Sequence, residues 1–286
     1  MDIITDMKTI GKFLYVAMAI CVVTTAFAQN IKTYSGPMKM PEYIPHIDLV
    51  LGGNTDLNYC YYNHPMVEVK YSYYENKDGK RIKHGKFILH SYKGHIMGNF
   101  KNDVVDGIWY FVIGDESCLT NGNYDLAKFK KSMNLFAAVP YKDGKMNGTF
   151  AGKLSDISYH FWLNGTIANN CPVGKWSVKI QDSWRGTDNL VFQISFDENG
   201  YAHGDWVLKS TSGILKVQHR IFNHGILEKI TEYDESTGET ETIDNLRDTS
   251  CPFGPDYGAT IIRYHETLEQ TCSLFQRLLG LTINKK

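Results

Sequence analysis

Apolar and polar positions alternate with a period of two through the middle of the chain. Val67, Val69, Tyr71 and Tyr73 fall on one side, and Glu68, Lys70 and Ser72 on the other. Trp176, Val178 and Ile180 alternate with Lys175, Ser177 and Lys179, and Leu190, Phe192, Ile194 and Phe196 alternate with Val191, Gln193 and Ser195. Successive strand side chains point to opposite faces, so this pattern predicts antiparallel strands with one apolar face. Dipeptides that favour tight turns punctuate the strands: Asp78-Gly79, Asn121-Gly122, Asp143-Gly144, Asn164-Gly165 and Asn199-Gly200. Two-residue type I′ turns need positive φ at both central positions, which Asn-Gly and Asp-Gly tolerate best.

One phrase is written twice. "GNFKNDVVDGIW" occupies 98–109 and "GTIANNCPVGKW" occupies 165–176, with Gly, Asn, Gly and Trp in matching places. "YKDGKMNGTF" (141–150) and "FDENGYAHGDW" (196–206) share the grammar, "NKDGKRIKHGKF" (76–87) extends it, and "IFNHGIL" (221–227) is a degenerate copy. The step glycine, any residue, aromatic recurs at Gly85, Gly107, Gly148, Gly174 and Gly204, with Phe87, Trp109, Phe150, Trp176 and Trp206 in the aromatic slot and Gly225 in the degenerate copy. The second glycine of each phrase either lets an aromatic ring lie over the backbone or marks a bulge. Gly200 is expected at positive φ. A unit this small cannot bury its own apolar face, so neighbouring units must stack. The reading is a mainly β protein: a meandering antiparallel sheet built from repeated β-hairpins, with a C-terminal amphipathic helix.

On these residues the chain resembles MORN repeats, and more closely the variant found in exported bacterial (Bacteroidetes-type) antitoxin-like repeat proteins, over about 71–227. The stretch 125–139 departs from the pattern, and the spacing is irregular. The resemblance implies a scaffold or binding surface and no general enzymatic activity.

The period changes in "YGATIIRYHETLEQTCSLFQRLLGL" (257–281). Ile261, Tyr264, Leu268, Cys272, Phe275 and Leu279 step by three or four, the stripe of an amphipathic helix. Arg263, Glu266, Gln270 and Arg277 take the polar side, Pro252 and Pro255 precede the helix, and Gly280 stands near its end. Such a helix is expected to pack on the sheet or cap it. The chain then divides into a signal peptide (1–28), an extended lead (29–66), the hairpin-repeat domain (67–250) and the helix segment (251–286). Residues 126–139 read as either a short helix or an irregular strand pair.

The signal reading rests on Lys8 and Lys12, the apolar run "FLYVAMAICVVTTAFA" and an Ala-Phe-Ala site ending at Ala28, so that cleavage would leave Gln29 first. The run is short for a bilayer span, and no later stretch is apolar enough to cross. The mature chain is therefore expected to be exported, to the periplasm, outer surface or medium, with no transmembrane span.

Thirty Lys and Arg against 31 Asp and Glu leave a formal charge of −1, which supplies no electrostatic reason for nucleic acid as a partner. Beyond Cys21 the odd set Cys60, Cys118, Cys171, Cys251 and Cys272 leaves at least one thiol without an intrachain partner. No CxxC zinc spacing, Gly-x-Ser-x-Gly elbow, Walker loop or dinucleotide fingerprint is present, so no catalytic, cofactor or metal residue is assigned. His84, His203 and His224 each precede a repeat glycine and read as turn residues copied with the unit rather than as a metal row. Asn147 and Asn164 head glycosylation sequons that coincide with repeat turns. Trp109, Trp176 and Trp206 belong to the repeat's core slot; Trp162 and Trp184 lie off it and are candidates for a binding surface. The functional expectation is a non-enzymatic exported repeat protein that offers a surface to a protein or glycan of the cell envelope. The alternative is an envelope hydrolase with a cleft between sheet and C-terminal helix.

Overall fold

Each alternating segment of the sequence is a strand, and each pairs antiparallel with its neighbours in the chain. The computed structural model of the protein describes residues 30–38, 68–91, 94–114, 119–120, 123–124, 133–155, 159–182, 189–243 and 258–281. The stretch 1–28 expected to be a signal peptide, the Asn121-Gly122 dipeptide expected to be a turn, Trp184, Cys60, Cys118 and Cys251 lie outside the described residues. The strands are β1 (Lys32–Pro37), β2 (Glu68–Glu75), β3 (Arg81–His90), β4 (Gly94–Lys101), β5 (Val104–Gly114), β6 (Leu119–Thr120), β7 (Asn123–Tyr124), β8 (Met133–Lys142) and β9 (Lys145–Met146). They continue as β10 (Gly148–Ser155), β11 (Tyr159–Ala168), β12 (Cys171–Asp182), β13 (Asn189–Phe196), β14 (Gly204–Ser210), β15 (Val217–Asn223), β16 (Ile226–Tyr233) and β17 (Thr240–Ile243), followed by helix α1 (Gly258–Leu279).

Among the described residues fifteen strands form one sheet that follows chain order from β1 to β17, with β9 paired to β8 and with β6 and β7 set apart as a separate two-stranded sheet. Neighbours in the main sheet are antiparallel throughout. Residues 32–37, inside the stretch expected to be an extended lead, are already β1, held against β2 with Tyr34 5.2 Å from Tyr71. Of the uncertain stretch 126–139, the part from Met133 is strand β8, between β5 and β10.

The twelve-residue phrase has a structural meaning that differs from the expected one. Asn164-Gly165 is not a turn: both residues lie inside β11. The turns are Asn102-Asp103, with φ of 55 and 65°, and Asn169-Asn170, with φ of 49 and 66°, the positive pairs of type I′ hairpins. The first glycine of each phrase is instead a seat for the tryptophan at its end. A Cβ on Gly98 would stand 2.2 Å from Trp109 Cδ2, and one on Gly165 2.0 Å from Trp176 Cδ2. The second glycine marks a bulge. Gly107 and Gly174 have φ of 72 and 63°, and register slips opposite them between Met97 and Asn99 and between Asn164 and Thr166.

Asp143-Gly144 is a type I′ turn, with φ of 49 and 80°. At Asp78-Gly79 and Asn199-Gly200 only the glycine is left-handed, with Gly200 at 81°. These are three-residue loops rather than the expected type I′ turns. The side chains of Asn76 and Asp197 cause the difference. Each accepts backbone N–H groups two and four residues on, at 2.8–3.0 Å, which fixes a type I turn before the glycine.

Alternation sorts side chains onto two faces. On the inner face, ring contacts cross the strands: Phe87 to Trp109 at 5.6 Å, Phe150 to Trp176 at 5.9 Å, Phe196 to Trp206 at 5.8 Å and Trp206 to Phe222 at 4.5 Å. Trp109, Trp176 and Trp206 are 0, 2 and 0% exposed, and their indole N–H groups donate to the carbonyls of Asn99, Val173 and Ser195. Such aromatic pairs contribute about 0.5–1.5 kcal/mol each beyond burial.

Helix α1 lies on this face over the second half of the sheet. Phe275 stands 4.7 Å from Trp176 and 5.8 Å from Phe196, Tyr264 stands 5.9 Å from Phe192, and the Tyr264 hydroxyl donates to the Lys216 carbonyl. Tyr264, Leu268, Phe275 and Leu279 of the expected stripe are buried, Cys272 is half-buried and Gln270 is exposed; Leu274 and Leu278 widen the stripe. Gly280, at φ 62°, ends the helix by donating to the Gln276 carbonyl. At β15 and β16 the inner face turns polar. Gln218, Arg220 and Glu232 are buried there, Arg220 Nε donating to Gln218 Oε1 and Gln218 Nε2 to Glu232 Oε1.

Candidate functional site

Residues that alternate away from the helix make up the outer face. Over β10–β14 the register sets Lys153, Trp162, Lys179, Val191 and Lys209 opposite one another in a single row across five strands. The next row holds Ala151, Asn164, Ser177, Gln193 and Val207. Adjacent strands are about 4.8 Å apart, so each row spans about 19 Å.

Trp162 is half-buried in the sheet surface, with Lys179 Nζ 5.1 Å from its ring centroid and the His160 ring 6.1 Å away. Lys179, Lys209, Asn164, Ser177 and Gln193 are exposed. Lys153 is half-buried, and burial pulls its ammonium below the ordinary lysine range. The described outer face of these strands carries four lysines, Lys175 included, against one carboxylate, Asp205, which is bonded to His219 Nδ1 at 2.9 Å. Positive charge is thus concentrated on one face of a chain whose formal charge is −1. The arrangement offers a flat ring, ammonium groups and uncharged hydrogen-bonding side chains. The other predicted residues serve the fold: Phe87, Phe150, Trp109, Trp176 and Trp206 are in the core, and Gly85, Gly107, Gly148, Gly174 and Gly204 hold positive φ beside the hairpin turns.

The three histidines that precede repeat glycines make two separate arrangements. His84 Nδ1 lies 3.0 Å from Asn102 Oδ1. Far along the sheet, His203 and His224 stack with ring centroids 4.7 Å apart, and His224 Nδ1 lies 2.7 Å from Asp197 Oδ2. The Asp197 side chain is 7% exposed and that of His224 61%. Burial pushes the Asp197 carboxyl up, but hydrogen bonds from His224 and from the Tyr201 and Asn199 amides outweigh it and hold the group below the ordinary aspartate value. A carboxyl whose folded pKa is depressed stabilises the fold fully above its unfolded pKa of about 3.9 and loses that contribution as pH falls through the folded value. Asp197→Asn is therefore expected to lower Tm near neutral pH, with a deficit that closes below the folded value. A deficit unchanged in acid would refute the charge as its source, and thermal melts across pH measure it.

His90 and His95, which lack the helical context of close metal ligands, pair across the β3–β4 register: their Nδ1 atoms approach to 2.7 Å, with His95 buried. Among the described residues no group of three or more His, Cys, Asp or Glu is placed to hold a metal ion. Among them, too, no helix is long and apolar enough to cross a membrane. Cys171 carries a free, half-buried thiol. Comparison with models of known protein families finds no match, and comparison with curated proteins finds none either.

Proposed function

We propose that the protein is an exported, non-enzymatic repeat protein of the cell envelope whose outer sheet face binds a protein or a glycan. The observation that carries the reading is Trp162. The repeat tryptophans pack in the core, whereas this one sits off the repeat register, half-buried on the outer face in a row with Lys153, Lys179 and Lys209. Buried apolar residues beside exposed polar ones on a rigid element are how aromatic anchors act in binding surfaces. The resemblance to MORN-type repeats, which act as scaffolds, points the same way.

The hydrolase alternative placed a cleft between the sheet and α1. Trp176, Phe196 and Phe275 occupy that space at ring-to-ring distances of 4.7–6.3 Å. The Asp197–His224 pair, a carboxylate orienting an imidazole, is the feature that favours the alternative, and it lies at a hairpin edge instead.

The test uses the mature chain, secreted with its own leader and checked by mass spectrometry for an N-terminus at Gln29. Immobilised protein is presented with fractionated envelope polysaccharides and envelope proteins. Trp162→Ala is expected to reduce retention about tenfold with little change in Tm, and His224→Gln to leave it unchanged. Loss with His224→Gln alone, together with hydrolysis of a retained fraction, would overturn the binding reading in favour of the enzyme.

A further inference from the structure

We infer that the ligand of the Trp162 face is an acidic polysaccharide, a chain of sugars bearing carboxylates. The inference rests on the proposal that this face is a binding surface, and adds the chemistry of what it takes. Two rows run side by side across β10–β14, and they differ in kind. One alternates cationic with apolar groups: Lys153, Trp162, Lys179, Val191, Lys209. The other presents Asn164, Ser177 and Gln193, uncharged and exposed, at its centre.

A uronic-acid chain has the matching asymmetry. Its carboxylates project from one side of each ring, its hydroxyls from another, and its ring C–H faces are apolar. Laid along the rows, it would meet ammonium groups with carboxylates, the indole and Val191 with ring faces, and the amide and hydroxyl row with hydroxyls. Lys179 Nζ lies over the Trp162 ring at 5.1 Å, so a sugar that stacks on the indole displaces the ammonium to the ring's edge, within reach of the sugar's carboxylate.

Other polyanions fit less well. An acidic peptide offers carboxylates but no flat faces edged with hydroxyls. A nucleic acid carries a denser charge than these four lysines neutralise, and a chain of formal charge −1 supplies no further excess of basic residues. The lysines also follow the sheet rather than a pocket, which suits a linear polymer. Lys153 and Lys179 are two strands apart, as are Lys179 and Lys209, giving a repeat of about 10 Å.

The test measures binding of the mature chain to polygalacturonate by calorimetry and affinity electrophoresis. Carboxyl-reduced polygalacturonate, dextran, phosphatidylglycerol vesicles, poly-dT and the envelope protein fraction serve as separate arms. Polygalacturonate is expected to bind with an affinity that falls as salt rises, and reducing its carboxyls is expected to abolish binding. Lys179→Gln and Lys209→Gln should each weaken binding about two- to fivefold, the range of exposed ion pairs, while Lys179→Arg should retain it. Trp162→Ala should weaken it about tenfold, the equivalent of about 1.4 kcal/mol. Equal binding to dextran or to the reduced polymer would overturn the inference while leaving a glycan-binding face intact. Binding to vesicles or poly-dT as tight as to polygalacturonate would overturn it as nonspecific attraction, and retention of envelope proteins alone would overturn it in favour of a protein partner. Binding in none of these arms would overturn both the inference and the function it rests on.

Discussion

Replacing Trp176 with alanine is expected to cost about 3–5 kcal/mol of unfolding free energy, the range for deleting a large buried aromatic. The ring is 2% exposed and is held from three directions: Phe150 at 5.9 Å and Phe196 at 6.3 Å on the sheet, and Phe275 at 4.7 Å on α1. The deletion removes apolar area and opens a cavity whose walls belong to both layers, so neither layer can collapse into it alone. The indole N–H bond to Val173 at 3.2 Å goes with it. Trp109→Ala should cost a similar amount, because Trp109 is packed by Phe87, Phe100 and Tyr141. The two variants should differ in one respect. Amide hydrogens of α1 should exchange faster in Trp176→Ala than in Trp109→Ala, since only Trp176 touches the helix through Phe275. Trp162→Ala, on the outer face, should cost about 1 kcal/mol or less. Denaturant unfolding and hydrogen exchange on the three variants supply the readout. Equal costs at positions 176 and 162 would refute the assignment of Trp176 to the core.

The second large effect comes from the smallest change. Gly165→Ala is expected to destabilise the protein by about 1–3 kcal/mol, the usual range for overpacking a filled core. Glycine to alanine at an ordinary strand position has the opposite sign, because it reduces the freedom of the unfolded chain. Gly165 is not at positive φ, so backbone strain plays no part. The cause is contact. An added Cβ would stand 2.0, 2.3 and 2.4 Å from Cδ2, Cε2 and Cγ of Trp176, the rigid body of the ring rather than a flexible tip. The ring must tilt, and Phe275 opposes the movement. Gly98→Ala should behave alike, with Trp109 atoms 2.2–2.6 Å from the new carbon. A double-mutant cycle identifies the mechanism. In the Trp176→Ala background Gly165→Ala should be neutral or stabilising, giving a coupling energy of about 1–3 kcal/mol. Additive effects would show that the penalty does not arise from the glycine–tryptophan contact.

These expectations separate what could be read from the chain from what could not. The period-two alternation around Trp176 and Phe192 and the period near 3.6 from Tyr264 to Leu279 were legible because each depends on residues within a turn or two of one another. The positive φ of Gly200 was legible for the same reason. Asn164-Gly165 misled because the same dipeptide suits a turn or the ground beneath a ring. Which of the two it becomes depends on where β12 pairs, eleven residues on. The pairing of His90 with His95 and the row from Lys153 to Lys209 were hidden likewise: each of these residues looks like an isolated polar position until the register brings its neighbours alongside.

The sequence by itself determined the hairpins, the two-faced strands, the C-terminal helix and the recurrence of an aromatic two residues after a glycine, all set by local sterics and by the spacing of apolar groups. Tertiary structure decided the rest. It made the first glycine of each twelve-residue phrase a seat and the second a bulge, drew residues 32–37 in as the first strand, laid α1 over Trp176 and Phe196, and gathered lysines around Trp162 on the opposite face. Each of those outcomes depends on register and on which apolar face finds a partner. Register is chosen by the summed packing of many residue pairs remote in sequence, and a one-residue slip would move every side chain to the other face.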